Sequence, residues 1–137
     1  MTTILHQLRS VYGFRSPEMA TSLRILKHIR RHDSSQLKHL TFNVLRSIGQ
    51  PEEDLVLMRV LAILSGPSFN VLGQRFEFLD EQEDEYIDLV SEDVTEALRT
   101  GVFYHPTGGY PVPEFQRYIF VYYQAGDGLS DVCGGRK

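Results

Sequence analysis

The sequence predicts a single α+β domain, because helix-forming patterns fill the first half of the chain and strand-forming patterns much of the second. Apolar residues recur with helical spacing between residues 17 and 64. Segments rich in aromatic and β-branched residues follow at 69–80 and 118–123. With 137 residues, 42% of them hydrophobic, the chain is long enough to bury a core. We therefore predict three N-terminal helices around an apolar third helix, then a small antiparallel sheet with one short inserted helix.

The first helix is predicted at residues 17–32. Ser16 can cap its N-terminus, and Pro17 suits the first helical position. At 100° per residue the helix has an apolar face and an opposite basic face. The apolar face consists of Met19, Leu23, Ile25, Leu26 and Ile29.

The second and third helices are predicted at 35–48 and 52–64. A serine at position 34 or 35 can cap the second, and Gly49 can end it. The third begins with three acids, which suit the first turn of a helix. Its remaining residues are apolar on every side except at Arg59, so we expect this helix to be buried all round.

The second half of the chain alternates strand and turn signals. After the strand at 69–80, "EQEDEYID" is interpreted as a charged loop or turn, and "SEDVTEALRTG" as a short helix that ends at Gly101. "VFYH" and "YIFVYY" are predicted to be strands, with "PTGGYPVP" as the tip of a hairpin between them. The domain is expected to span residues 1–125, and the Gly-rich segment 126–137 to be disordered.

The order of these elements resembles the winged-helix family, with "VFYHPTGGYPVPEFQRYIF" in the place of the wing hairpin. The resemblance covers residues 17–123 and rests on element order. It implies a winged-helix-like regulator that contacts DNA or RNA. Two features depart from the family. The third helix, which usually reads DNA there, is apolar and begins with acids, and a further helix separates the strands.

Charge is distributed unevenly along the chain. Residues 1–50 hold eight Lys or Arg and two Asp or Glu, a net charge of +6. Residues 51–137 hold six and sixteen, a net charge of −10, which gives the total of −4. Such an asymmetry indicates either a basic surface that faces a partner or attraction between the two ends of the chain itself.

The candidate binding residues form a basic face across the first two predicted helices. They are Arg24, Lys27, Arg31, Lys38 and Arg46, with Phe42 among them as an aromatic ring that could stack on a base. Lys and Arg on one surface could contact phosphates, the acids of a protein partner, or this chain's own acidic segment at 77–96. The sequence leaves these three alternatives open.

No catalytic or cofactor motif is present in the sequence. It contains no GxSxG, P-loop or GxGxxG, and His105 is the main candidate for an acid–base group. His28 and His32, spaced i, i+4, lack the convergent further ligands that zinc requires. The acids from Asp80 onward resemble an EF-hand loop but lack its glycine and its final glutamate. We therefore expect a non-enzymatic protein without metal or cofactor, and we identify no small-molecule substrate. An enzyme with a site around His105 and the acidic segment is a third hypothesis.

The expected function is that of a small non-enzymatic accessory or adaptor protein, acting through charged helix faces and an aromatic strand surface. It would bind a protein partner or itself within a complex, and the tyrosines of "YIFVYY", if half exposed, would supply part of the interface. The alternative is a winged-helix-like DNA- or RNA-binding regulator that uses the basic face at 24–46. The chain has no secretory signal pattern and no apolar run long enough to span a bilayer, so we expect a cytoplasmic protein.

Overall fold

The computed structural model describes residues 2–13 and 15–126. The elements in chain order are α1 (Thr2–Tyr12), α2 (Pro17–Arg31), a 3-10 helix (Ser34–Gln36), β1 (Leu40–Thr41), α3 (Phe42–Gly49), α4 (Asp54–Leu64), β2 (Leu72–Asp80), β3 (Glu85–Leu89), α5 (Ser91–Thr100), a second 3-10 helix (Phe115–Arg117) and β4 (Ile119–Ala125). The tail predicted to be disordered lies, from residue 127 onward, outside the described residues.

The four strands form one antiparallel sheet in the order β1-β4-β2-β3, so the predicted α+β class is confirmed. β2 and β3 are joined by a short turn and pair with Phe78 opposite Ile87 and Leu79 opposite Tyr86. Backbone bonds from Leu79 to Tyr118 and from Gly126 to Val71 set the register of β4 against β2.

The chain divides into two compact units. The first, here called the helical unit, comprises Met1–Gly73 and Tyr123–Lys137; its described part holds α1 to α4 and β1. The second, here called the acidic unit, is Gln74–Tyr122, and it contains β3 and α5. It holds three Lys or Arg and eleven Asp or Glu, a net charge of −8.

In the helical unit, α2 begins and ends close to its predicted limits. The Ser16 hydroxyl accepts a hydrogen bond from the Met19 amide at 3.0 Å, so this cap is confirmed. Of the predicted apolar face, only Leu23 is exposed. α1 was not predicted, although its buried Ile4 and Leu8 have the helical i, i+4 spacing.

The prediction of one continuous helix at 35–48 is wrong. Leu37 and Leu40 are buried, as the apolar pattern required, but neither lies in an α-helix. The Thr41 hydroxyl accepts a hydrogen bond from the Val44 amide and caps α3, so the helix begins only at Phe42. The preceding residues are held differently, since the Leu37 carbonyl accepts a bond from the Ala125 amide at 3.0 Å.

The expectation that the third predicted helix is buried all round is also wrong. This helix is α4, and its buried residues are Val56, Leu57, Val60, Leu61 and Leu64. Leu55 and Met58, on another side, are 47% and 56% exposed. Apolar composition alone could not show that this side of the helix remains uncovered in the chain.

The core of the acidic unit lies between one face of its strands and α5. Its buried members are Phe78, Leu89, Val94, Ala97, Phe103 and Phe115. The segment predicted to be a charged loop or turn is a turn only at 81–84; from Glu85 it is strand β3, whose Ile87 and Leu89 pack toward this core. The predicted strand "VFYH" contributes only an isolated bridge between Tyr104 and Pro111, at the base of the hairpin loop.

Among the described residues, no helix combines the length and the apolar character that crossing a membrane requires.

Candidate interaction surfaces

Arg24 of the predicted basic face is bound to the end of α3. Its Nε donates to the Gly49 carbonyl at 2.6 Å, and its Nη2 donates to the Gln50 carbonyl at 3.1 Å. Carbonyls at a helix C-terminus lack intrahelical partners and carry partial negative charge. Arg24 therefore satisfies the end of α3 and holds it to α2.

Arg46 and Phe42 form a cluster with the start of α4. Two nitrogens of Arg46 bind the two carboxylate oxygens of Asp54, at 2.9 and 3.0 Å, and a third donates to Asn43. This hydrogen-bonded pair raises the pKa of Arg46 and lowers that of Asp54. The guanidinium carbon lies 5.0 Å from the centre of the Phe42 ring, so one face of that ring is already covered.

Lys27, Arg31 and Lys38 remain available. All three are exposed, and within residues 2–13 and 15–126 none takes part in an ion pair or side-chain hydrogen bond. Lys27 and Arg31 lie one turn apart on α2 and share a helix face. Lys38 lies outside α2, after the 3-10 helix. The six predicted residues are thus three exposed cations, two arginines bound to other segments of the helical unit, and a phenylalanine whose ring is covered by one of these arginines.

A stripe of apolar side chains is exposed along α4. Leu55, Met58 and Ala62 are spaced i, i+3, i+7 and lie on one side of this helix. Arg59, beside them, donates to Glu18 at 3.2 Å, while its backbone carbonyl accepts a bond from the Tyr12 hydroxyl. The exposed side of α4 is therefore apolar, and its one arginine is already paired.

An exposed aromatic pair lies on the face of the sheet opposite the core of the acidic unit. Alternate residues of a strand face opposite sides, so Phe78 enters the core and Leu79, with its partner Tyr86, faces away. Tyr86 and Phe120 are 58% and 43% exposed, and their rings meet edge to face with centroids 6.3 Å apart. Tyr86 and Phe120 are called the aromatic pair below.

Two of the three tyrosines of "YIFVYY" do not meet the condition of half exposure under which they would supply an interface. Tyr122 and Tyr123 are buried. The Tyr122 hydroxyl donates to Asp88 at 2.8 Å, and burial together with this bond raises the pKa of Tyr122. The exposed aromatic of β4 is Phe120, and its ring partner comes from β3.

Asp80 and His105 form a buried hydrogen-bonded pair beside an open cleft. Their side chains lie 2.9 Å apart, between Oδ2 of Asp80 and Nε2 of His105. Oδ1 of Asp80 accepts bonds from the amides of Gln82 and Glu83 in the turn after β2. Burial raises the pKa of Asp80, but the bonds from His105 and from these two amides outweigh it, so the pKa lies below its ordinary value.

The surroundings of His105 fix the tautomer of its ring. Nδ1 accepts from the amides of Gly108, at 2.9 Å, and Thr107, at 3.2 Å, so Nε2 carries the proton that is donated to Asp80. The ring also stacks on Tyr110, with centroids 4.8 Å apart. Since both nitrogens are engaged, the arrangement fastens the hairpin loop to the end of β2.

The residues considered for metals have other contacts in the structure. The His28 and His32 rings stack at 3.9 Å, and Nδ1 of His32 is 2.7 Å from the His28 carbonyl. Burial, and then the neighbouring His32, lower the pKa of His28. In the part of the chain that the structure describes, no group of three His, Cys, Asp or Glu side chains could hold a metal ion.

Two features of these surfaces were missed by sequence reasoning. The Asp80–His105 pair and the aromatic pair join positions 25 and 34 residues apart, on different elements. Local patterns do not show such pairings. The α4 stripe was visible as an apolar run, but it was assigned to the core.

Comparisons with known protein families, with curated proteins and with solved structures found no match to this chain.

Proposed function

We propose that this chain is a small non-enzymatic accessory protein that binds a protein partner or a second copy of itself. The observation that carries the proposal is the aromatic pair, two large rings exposed side by side on the sheet. Aromatic residues are enriched in the central parts of protein interfaces and supply much of their binding energy. The exposed stripe of α4 is a second apolar surface of the same kind.

Charge favours a basic partner at the acidic unit. Its net charge of −8 would attract Lys- and Arg-rich segments and raise their rate of association at low salt. Both ring nitrogens of His105, the main candidate for an acid–base group, are engaged in hydrogen bonds. This supports the non-enzymatic part of the proposal.

The proposal is tested by isolating tagged protein from cells that naturally produce it. Variants at the aromatic pair, Tyr86→Ser with Phe120→Ser, are compared with Leu98→Ser, which alters an exposed apolar side chain of α5. We expect wild type and Leu98→Ser to retain the same partner, or the same dimer by light scattering, and the double variant to retain at least tenfold less of it. Equal retention by all three proteins, or a wild-type monomer with no bound protein, would contradict the proposal.

A second candidate function is that of a winged-helix-like DNA- or RNA-binding regulator. The order α2, β1, α3, α4, β2, β4 and the pairing of β4 with both β1 and β2 are compatible with that resemblance. The specific observation in its favour is that Lys27, Arg31 and Lys38 are exposed, with no ion pair among the described residues. Because the outer side of α4 is apolar, DNA or RNA would be contacted through α2 instead of through α4.

Fluorescence anisotropy with a labelled duplex and a labelled single strand tests this candidate. Binding should be detectable at about 50 mM salt and weaken steeply as salt rises. Reversing Lys27, Arg31 and Lys38 to Glu should weaken it several-fold and reduce the salt slope by about one for each phosphate that is no longer bound. Arg117→Glu, at an exposed position of the acidic unit, is the control. Absence of binding at low salt, or an equal effect of the control, rejects the candidate.

A further inference from the structure

The acidic unit contains an open cleft of about 200 Å³ beside the Asp80–His105 pair. Phe78, Asp80 and His105 are buried and form its inner lining. Tyr110, Tyr118 and Glu81 are more accessible and line its outer part. A cavity that holds a single water has a volume of about 10–15 Å³, so the cleft has room for a group of several non-hydrogen atoms.

The inner lining carries a negative charge that no cation of the described residues neutralises. Asp80 is 5% exposed, and its hydrogen-bond donors are two backbone amides and the imidazole of His105. No Lys or Arg side chain within residues 2–13 and 15–126 makes an ion pair with it. Glu81 adds a second carboxylate to the lining. The three hydrogen bonds stabilise the Asp80 carboxylate but bring no positive charge to it, so the lining keeps a net negative charge that attracts a cation.

Aromatic rings supply the second attraction for a cation. Phe78, Tyr110 and Tyr118 all line the cleft, and the faces of such rings attract ammonium groups. Tyr110 is held in place by its stacking on His105 and by its close approach to Gly108, where an added Cβ would overlap its ring. The cleft therefore differs from an ordinary acidic surface, because its lining contains both carboxylates and aromatic rings.

We propose that this cleft binds the alkylammonium group of a lysine side chain from a basic segment of a protein partner. This inference rests on the proposed function, because it specifies the chemistry of the protein partner which that function requires. The four methylenes of lysine would lie against the aromatic walls, and its ammonium group near Asp80 and Glu81. The net charge of −8 around the cleft favours a partner with several further cations.

The first test titrates the full chain with n-butylammonium, and separately with neutral butan-1-ol, while amide NMR signals are recorded. We expect saturable shifts at Gln82, Gly108 and Tyr110 with butylammonium, with a dissociation constant of about 10 mM or below. Butan-1-ol should leave these signals unshifted. Equal binding of both probes, or no saturable shift with butylammonium, overturns the proposal.

Matched variants separate the cleft from its surroundings. Tyr110→Leu and Glu81→Gln should each weaken butylammonium binding about three- to tenfold. The controls Tyr104→Leu and Glu83→Gln, at exposed positions nearby outside the cleft lining, should bind like wild type. Gly108→Ala, which displaces the Tyr110 ring without removing it, should also weaken binding. Equal effects of the cleft variants and the controls would overturn the assignment of the site.

The source of the ammonium group is tested with two peptides that differ only in one lysine replaced by norleucine. We expect the lysine peptide to bind more tightly than butylammonium and the norleucine peptide to bind at least fivefold more weakly. Equal binding of the two peptides contradicts the lysine assignment. The double variant of the aromatic pair should still bind butylammonium, so failure of the proposed function and failure of the cleft proposal are distinguishable.

Discussion

The side chains of Asp80 and His105 are hydrogen-bonded to each other although 25 residues separate them in the chain. His105 could be singled out from the sequence as the histidine of the strand-rich region. Asp80 could not be distinguished from the acids that follow it. Its role arises because β2 ends there and the turn directs the amides of Gln82 and Glu83 onto its carboxylate. Which acid pairs with His105 thus depends on strand register, and the local sequence does not specify that register.

Asp80 should make the stability of the acidic unit sensitive to acid. Its pKa in the folded chain lies below the ordinary value of 3.8. The stabilisation is therefore complete above that value and is lost as the pH falls through the lower folded pKa. We expect Asp80→Asn to reduce the midpoint of urea unfolding at pH 7 and the difference from wild type to narrow below about pH 3.8.

Urea unfolding followed by circular dichroism from pH 7 to pH 2 measures this effect. Glu83→Gln, an exposed side chain in the same turn, is the matched control and should follow wild type. A difference between wild type and Asp80→Asn that stays constant over the whole range would contradict the assigned role of the carboxylate.

Helical periodicity predicts the bounds of α2 closely, but it wrongly predicts one continuous helix over the segment that follows. The apolar positions at 37, 40, 44 and 48 fit a helix, but Thr41 caps a new helix there and the preceding residues bond to β4. A threonine hydroxyl that caps a new helix competes with continuation of the preceding one. Which of the two forms depends on the hydrogen-bond partners that the neighbouring backbone finds elsewhere in the fold. The same limit applies to α4, whose apolar pattern predicts a helix but not how much of its surface is covered.

The contact between α2 and α3 depends on the small size of Gly49. A Cβ at this position would lie 2.9 Å from Cγ2 of Thr21 and 3.4 Å from Cδ1 of Ile25, both of which are buried. We expect Gly49→Ala to lower the free energy of unfolding by about 1–3 kcal/mol through overpacking. This exceeds the roughly 0.5–1 kcal/mol that alanine gains over glycine in a helix.

Chemical denaturation at neutral pH measures the effect of Gly49→Ala. Ser47→Ala, at an exposed position of the same helix, is the control and should change the stability by less than about 0.5 kcal/mol. If Gly49→Ala were more stable than wild type, helix propensity would outweigh packing and the close approach of the two helices would be unimportant.

For the whole molecule, charge and exposed apolar groups give the strongest indications of function. The charge asymmetry was visible in the sequence, and the acidic unit accounts for most of the negative charge. The α+β class also followed from residue patterns. The strand order could not be predicted, because it pairs the C-terminal strand with a two-residue strand near position 40. In the predicted basic face, Arg24 and Arg46 are bound within the helical unit, while Lys27, Arg31 and Lys38 are exposed.

The proposed function requires that the aromatic pair contacts another protein. Site-specific photo-crosslinking detects such a contact, with a benzoylphenylalanine placed at Phe120 in one variant and at Leu98 in another. In cells that produce the chain, we expect the probe at Phe120 to form one dominant protein adduct, which can be a second copy, and the probe at Leu98 to form none. No adduct at Phe120, or equal adducts at both positions, would contradict the claim.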